Sequence, residues 1–164
     1  MMKNLKKTCH DKNGFGLIEV VIGVAIISIS LFAIMSSARG AVDLNRRAIS
    51  EIKGKLILEE GSEVVRFMRD SAWSNVSSLS TSTTYYLATT TTGWIATTTQ
   101  NKIDGSFLRR IVVSDVFRGA GDKISESGVY DSGTKKFTIT VFYEGRFGTT
   151  TKQTVFYLSD IFDN

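Results

Sequence analysis

One carboxylate stands inside a long apolar stretch of the sequence. The 21 residues from Phe15 to Met35 contain a single charged residue, Glu19. A carboxylate at the centre of a membrane-spanning helix costs roughly 2.5–3.5 kcal/mol, and less near an end, so such residues are usually kept because they find a partner. No Lys, Arg or His lies between Phe15 and Ala38. We therefore expect the partner of Glu19 to come from elsewhere, and another copy of the chain is one source.

A cut in the backbone between Gly14 and Phe15 would create such a partner. Each new Phe15 would carry a free α-amine, four residues from its own Glu19. Stacked copies would then pair the amine of one chain with the carboxylate of the next.

The apolar stretch and its flank have the dimensions of a membrane anchor. A bilayer-spanning helix needs about 20 predominantly apolar residues. Four lysines precede the stretch: Lys3, Lys6, Lys7 and Lys12. Lysines close to a span resist translocation, so we expect a cytoplasmic N-terminus and an extracytoplasmic remainder.

The order of these features resembles the leader of type IV prepilins, which also opens the pseudopilins of type II secretion. Those leaders are basic and end in Gly, followed by Phe, any residue, Leu, Ile and Glu before an unbroken apolar helix. Here the segment is KNGFGLIEVVIGVAII, and the resemblance covers residues 1–40 closely. Gly16 departs from it, since Thr or Ser is frequent there. Ser36 and Ser37 stand where many pilins have a kinking proline.

The resemblance implies a route of processing and assembly. A prepilin peptidase would cut after Gly14 and methylate the new amine of Phe15, and Glu19 would guide docking into a growing filament. The implied partners are this peptidase, other pilin subunits, the inner-membrane assembly platform and membrane lipid. The protein would first be a single-pass membrane protein and then part of a cell-surface or periplasmic filament.

Side chains suited to catalysis are scarce outside the leader, residues 1–14. The single cysteine, Cys9, and the single histidine, His10, both lie in it. Removal of the leader excludes a disulfide within the chain, a Ser–His or Cys–His nucleophile and a His/Cys zinc site. The spacing of the acids singles out no catalytic pair. We predict a structural protein with no enzymatic activity, no cofactor and no metal.

The net charge of +4 also comes largely from the leader. The leader contains four lysines and one acid, Asp11, which leaves 16 basic and 15 acidic residues in the remainder. Five cations of the remainder are candidates for a DNA-binding patch: Arg109, Arg110, Arg118, Lys135 and Lys136. Without interleaved aromatic residues or a net positive head, nucleic acid is not expected as a partner, although a DNA-uptake pilin is kept as an alternative.

Helical periodicity continues beyond the apolar stretch. We predict a transmembrane and filament-core helix over 15–36 and its amphipathic continuation over 37–72. Gly54 and Gly61 weaken this helix and are expected to mark bends. The apolar stripe from Ala41 to Met68 should join the helix to a head; its members are Val42, Ile49, Ile52, Leu56, Ile57, Val64, Val65 and Met68. The segment from Leu58 to Trp73 resembles the stem of V-type minor pilins and I-type pseudopilins.

The last part of the sequence predicts an antiparallel sheet, and the fold class is therefore α+β. Residues 73–164 form the predicted head, with a Ser/Thr-rich loop and loose hairpin over 74–105 turning near Gly93. Strands are expected at 107–117, around 137–143, where apolar and polar residues alternate, and at 152–162. An apolar sheet face needs a cover, which the stripe on the long helix supplies.

Three further hypotheses concern the head and its anchor. Asn75-Val76-Ser77 has the form of an N-glycosylation triplet. Four aspartates in or near loops are candidates for calcium, although turn residues are the simpler interpretation: Asp104, Asp115, Asp122 and Asp131. The favoured function is a filament subunit, minor rather than bulk. The alternative is a monomeric binding domain held by a simple signal anchor, which would leave Glu19 unexplained.

Overall fold

The computed structural model describes residues 16–81, 83–145 and 148–161. The chain divides into two compact units, Met1–Asn45 and Arg46–Asn164. The predicted leader, and with it Gly14 and Phe15, lies outside the described residues. The architecture is a long N-terminal helix followed by an antiparallel sheet, and the predicted α+β class is confirmed.

The helix, α1, runs from Leu17 to Ser71. In the first unit its apolar side chains are exposed almost all round. One 18-residue window reaches a mean hydropathy of 2.7, so α1 is long and apolar enough to cross a membrane. The hydroxyls of Ser28 and Ser30 donate to the carbonyls of Val24 and Ile26, one helical turn earlier, at 2.7 and 2.8 Å. The predicted boundary between the spanning and amphipathic segments, at 36, stays a prediction.

The described residues of the second unit contain the rest of α1, a short helix, a single 3-10 turn at Ala120–Asp122 and seven strands. The short helix, α2, is Ser74–Ser77. The strands are β1 Thr84–Thr90, β2 Gly93–Thr97, β3 Lys102–Ile103, β4 Phe107–Arg118, β5 Ile124–Ser125, β6 Val129–Gly145 and β7 Gly148–Ser159. All pairings are antiparallel, and the main path of the sheet is β2-β1-β4-β6-β7. The short strands β3 and β5 both pair with β4.

The predicted strands agree with β4, β6 and β7, with shifted ends. β6 begins at Val129, eight residues before the clear alternation, and β7 begins at Gly148 rather than near 152. The segment 74–105 is more ordered than the loop that was predicted, since it contains α2, β1, β2 and β3. The expected hairpin is present as β1 and β2, and Gly93 stands at its turn with a φ of 127°.

One face of α1 covers the sheet in the second unit. Its buried positions follow helical spacing and are Gly54, Ile57, Gly61, Val64, Val65 and Met68. The sheet contributes alternate residues of β4 and β6, of which Ile111, Val113, Phe137, Ile139 and Val141 are almost fully buried. Each strand buries one side because successive side chains point to opposite faces.

The first half of the predicted stripe is wrong. Val42, Ile49, Ile52 and Leu56 are each about half exposed, from 48% to 58%. The buried face instead begins at Gly54 and passes through Gly61, the two glycines that were expected to mark bends. The helix continues through both.

Both glycines allow the helix backbone to come close to the sheet. A Cβ at position 61 would lie 2.8 Å from Cδ of Arg109, and one at position 54 would lie 2.8 Å from Cε1 of Tyr143. Arg109 is 3% exposed, and its guanidinium donates to the Ile57 carbonyl of α1 at 3.0 Å. This side chain is held in place, so it has little freedom to yield to an added Cβ.

Gly61→Val should therefore lower the free energy of unfolding of the head by about 1–3 kcal/mol, the usual cost of overpacking a core. The matched control is Glu59→Val on the exposed side of the same helix, which should change it by no more than about 0.5 kcal/mol. Chemical denaturation of the full chain in detergent, followed by tryptophan fluorescence, measures both. Equal midpoints for the two variants would show that the gap at Gly61 is not tight.

Candidate functional site

Glu19 lies in the first turn of α1, and its side chain is exposed. The turn forms because the Gly16 carbonyl accepts a hydrogen bond from the Glu19 amide at 2.9 Å. A carboxylate in the first turn is favoured by the positive end of the helix dipole. Within the described part of the chain, no cation lies at ion-pair distance from the Glu19 carboxylate. The structure thus places an acid that has no cation partner among the described residues at the start of an apolar helix, while the predicted processing residues Gly14 and Phe15 lie outside the described residues.

The calcium candidates of the head are each paired with a cation. Asp115 accepts from Lys135 at 2.6 Å, and Asp104 lies 3.4 Å from Lys53. Arg118 pairs with both other aspartates, since it lies 2.7 Å from Asp131 and 3.7 Å from Asp122. Among residues 16–81, 83–145 and 148–161 no group of three potential metal ligands comes together. The turn interpretation fits Asp104 and Asp122, which both adopt positive φ angles, 49° and 59°.

Arg118, the last residue of β4, forms a network of hydrogen bonds with residues that follow it in the sequence. Its Nε donates to Asp131 at 2.7 Å, and its two terminal nitrogens donate to the Asp122 carbonyl at 3.0 Å and the Thr134 hydroxyl at 3.3 Å. Hydrogen bonds from Arg118, and then from Thr134, hold the pKa of Asp131 below its usual value. This network joins β4 to β6 next to a shift in their register between Asp115 and Val116.

The five candidate cations do not form one surface. Arg109 and Arg110 are neighbours on β4 and so point to opposite faces of the sheet. Arg109 is buried under α1, whereas Arg110 lies over the Phe142 ring, 4.7 Å from its centroid. Arg118 and Lys135 bind the aspartates already described. That nucleic acid is not a partner stays a prediction.

The buried guanidinium of Arg109 is a site that sequence analysis missed. Besides the Ile57 carbonyl it contacts Glu60 on α1 at 3.3 Å, and it lies 5.9 Å from the centroid of the Trp94 ring on β2. Burial lowers the pKa of Arg109, and Glu60 opposes that shift. The alternation along β4 could have indicated this burial. Arg109 lies two residues from Phe107 and two from Ile111, both buried, and therefore points to the same face of the sheet.

The proposed glycosylation triplet forms α2. Val76 is fully buried there, and the Asn75 side-chain nitrogen, the atom that would carry a glycan, donates to the Met68 carbonyl at 3.1 Å. Asn75 therefore acts as a link between α2 and the end of α1.

A cleft of about 460 Å³ lies beside this link. Its lining is Phe67, Met68, Ser71, Ser74, Asn75, Ser78, Leu79, Thr92, Gly93, Trp94, Ile95 and Ala96. None of these side chains titrates near neutral pH. The lining consists of aromatic, aliphatic, hydroxyl and amide side chains.

Comparison with protein families gives one match. The model of the prokaryotic N-terminal methylation motif matches residues 9–35. No curated protein and no solved structure matches the chain. The matched segment includes the end of the basic leader, Glu19 and the apolar stretch, which are the residues that carry the resemblance described above.

The Arg118–Asp131 pair makes the stability of the head depend on pH. Because the pKa of Asp131 is lowered by folding, its contribution is complete above the unfolded pKa of about 3.9 and is lost as the pH falls through the lower folded value. Asp131→Asn should destabilise the head at pH 6, and the difference from wild type should shrink as the pH falls from about 5 towards 2. Urea denaturation across this range tests it, and a difference independent of pH would contradict the assignment.

Proposed function

We propose that this chain, which carries the N-terminal methylation motif of type IV pilins and pseudopilins, is a structural filament subunit assembled through α1. That motif supports the family predicted from the leader. In the proposal a prepilin peptidase cuts after Gly14 and methylates Phe15. The subunit then waits in the membrane with a cytoplasmic N-terminus and an extracytoplasmic head, and the assembly platform adds it to other pilin subunits. We favour a minor subunit.

The observation that carries this proposal is that Glu19 has no cation partner among the described residues. An acid in an apolar helix is costly in a bilayer unless it meets a partner, and the described part of the chain offers none. The methylated amine of Phe15 on an adjacent, axially displaced copy would supply such a cation. Glu19 and this amine could pair only when two subunits are in contact. Glu19 would therefore favour assembly of the subunits over their dispersal in the membrane.

An exposed apolar stripe on α1 also supports assembly. Ile49, Ile52 and Leu56 recur at helical spacing and are 48% to 58% exposed. They lie on a different face from Gly54 and Gly61, which pack on the sheet. A second apolar stripe on a helix that has already covered its own core is typical of a surface that packs against other chains.

A structural function agrees with the chemistry of the head. Its candidate acids are paired with lysine or arginine, and the cleft beside α2 has no titratable lining. The cleft does favour one alternative, a monomeric membrane-anchored binding domain, because Phe67 and Trp94 are shared by this cleft and by a smaller apolar one. That alternative gives Glu19 no function.

Replacing Glu19 separates the two functions. Glu19→Ala should insert at least as well as wild type, since it removes a charge from the bilayer, yet its incorporation into filaments should fall at least tenfold. Glu19→Gln should fail in the same way, because it keeps the shape and loses the charge. Ser28→Ala is the control, since the Ser28 hydroxyl bonds only within its own helix. Quantitative immunoblots of membrane and sheared-filament fractions measure the ratio, and normal incorporation of Glu19→Ala would overturn the account of Glu19.

A further inference from the structure

Three polar side chains follow the apolar segment of α1 at its C-terminal end. From Leu17 to Met35 the helix rises about 28 Å at 1.5 Å per residue, which is close to the roughly 30 Å hydrocarbon core of a bilayer. Ser36, Ser37 and Arg39 come next and are exposed. When α1 spans a membrane, these side chains lie at the level of the lipid headgroups on the extracytoplasmic side.

Arg39 has no acid partner among the described residues. It takes part in none of the ion pairs found there. The nearest acid in the sequence, Asp43, lies one helical turn farther from the apolar segment. A guanidinium presents several N–H donors in a planar fork that matches the oxygens of a phosphate. Arg39 can therefore bind a headgroup phosphate without first giving up an ion pair.

The helix surface beside Arg39 is open and offers a hydroxyl. Ser36 lies three residues before Arg39 and four before Gly40, so the three residues are neighbours on one face of α1. A Cβ at position 40 would meet nothing within 4 Å. Within the described residues the Ser36 hydroxyl forms no hydrogen bond, whereas those of Ser28 and Ser30 donate to helix carbonyls. A phosphate in this space can accept hydrogen bonds from both Arg39 and Ser36.

Aromatic residues do not anchor this end of α1. Trp and Tyr are enriched at both interfaces of membrane proteins, where their polar groups meet the headgroups. In this sequence the first residue of either type is Trp73, beyond the end of α1. Arg39 and the serines before it are therefore the groups that can fix the depth of the helix on the extracytoplasmic side.

We propose that Arg39 and Ser36 bind the phosphate of an anionic phospholipid in the extracytoplasmic leaflet and thereby set the depth of α1 in the membrane. The span holds Arg39 at the level of these phosphates, so their effective concentration exceeds that of dissolved phosphate. An anionic lipid is favoured over a zwitterionic one, because the ammonium of a zwitterionic headgroup competes for its phosphate. The inference rests on the membrane insertion of the proposed function, and requires neither cleavage after Gly14 nor filament assembly.

Fluorescence quenching by brominated lipids tests this site locally. The full chain with Met35→Trp carries a tryptophan one helical turn before Arg39, and the unsubstituted chain gives the background of Trp73 and Trp94. The chain is reconstituted into vesicles of phosphatidylglycerol and phosphatidylcholine, with one or the other lipid brominated on its acyl chains. Quenching of the introduced tryptophan should show an affinity for phosphatidylglycerol about fivefold higher, as expected of one cation near anionic headgroups.

Substitutions in this background provide the specificity of the test. Arg39→Gln should abolish the preference, Arg39→Lys should keep most of it, and Ser36→Ala should lower it about twofold. Arg46→Gln is the matched control, because Arg46 lies seven residues farther along α1, about 10 Å, which exceeds the Debye length at physiological salt. An unchanged preference in Arg39→Gln, or an equal loss in Arg46→Gln, would overturn the proposal. Loss of the preference in excess inorganic phosphate, but not in chloride of equal ionic strength, would show that the ligand is free phosphate instead.

The same measurement keeps this proposal separate from the proposed function. Quenching of the Met35→Trp chain with equal affinity for the two lipids would overturn only the lipid site. Absence of quenching by either brominated lipid would show that α1 does not enter the bilayer, and both proposals would fail. In a Glu19→Ala background the lipid preference should persist while filament incorporation is lost. Loss of the preference there would contradict a lipid site that is independent of assembly.

Discussion

The close approach of one helix to one sheet determines how the head is built. An antiparallel sheet with one apolar face must be covered, and in this protein the cover is the segment of α1 from Gly54 to Met68. The two glycines bring the backbone near enough for Tyr143 and Arg109 to lie directly against it. Arg109 then uses that proximity to bind a helix carbonyl and Glu60. Buried charge and close packing therefore depend on each other at the same place.

A second constraint acts at the start of the same helix. An apolar surface around α1 is stable in a bilayer, but Glu19 is stable there only with a partner. The head leaves a further apolar stripe on α1 uncovered, at Ile49, Ile52 and Leu56. Under the proposed function both features are satisfied by the same event, the packing of α1 against neighbouring subunits.

Much of this organisation could be predicted from the sequence, because it depends on short-range pattern. The long helix follows from its periodicity, and β4 and β6 follow from alternation around Ile111 and Ile139. The resemblance to type IV prepilins rests on six residues, Gly14 to Glu19, whose order combines a predicted cleavage site with an acid in an apolar span.

The features that could not be predicted depend on contacts between elements that are distant in the sequence. Helical periodicity predicted one apolar stripe from Ala41 to Met68, but contact with the sheet decides which side of α1 is buried. The buried side contains Gly54 and Gly61, because small residues allow closer packing than Ile52 or Leu56. The burial of Arg109 was missed for a related reason. Its charge suggested an exposed side chain, whereas its position in the alternation of β4 directs it to the face that packs against α1. The cation partners of the aspartates likewise depend on contacts between distant strands.

The N-terminus of the mature protein is the measurement that tests the central claim most directly. Intact-mass and N-terminal peptide spectrometry of membrane and sheared-filament fractions would determine it. The account predicts a chain that begins at Phe15 and carries one added methyl group. A chain that still begins at Met1, in cells with an active prepilin peptidase, would contradict the account and indicate a simple signal anchor.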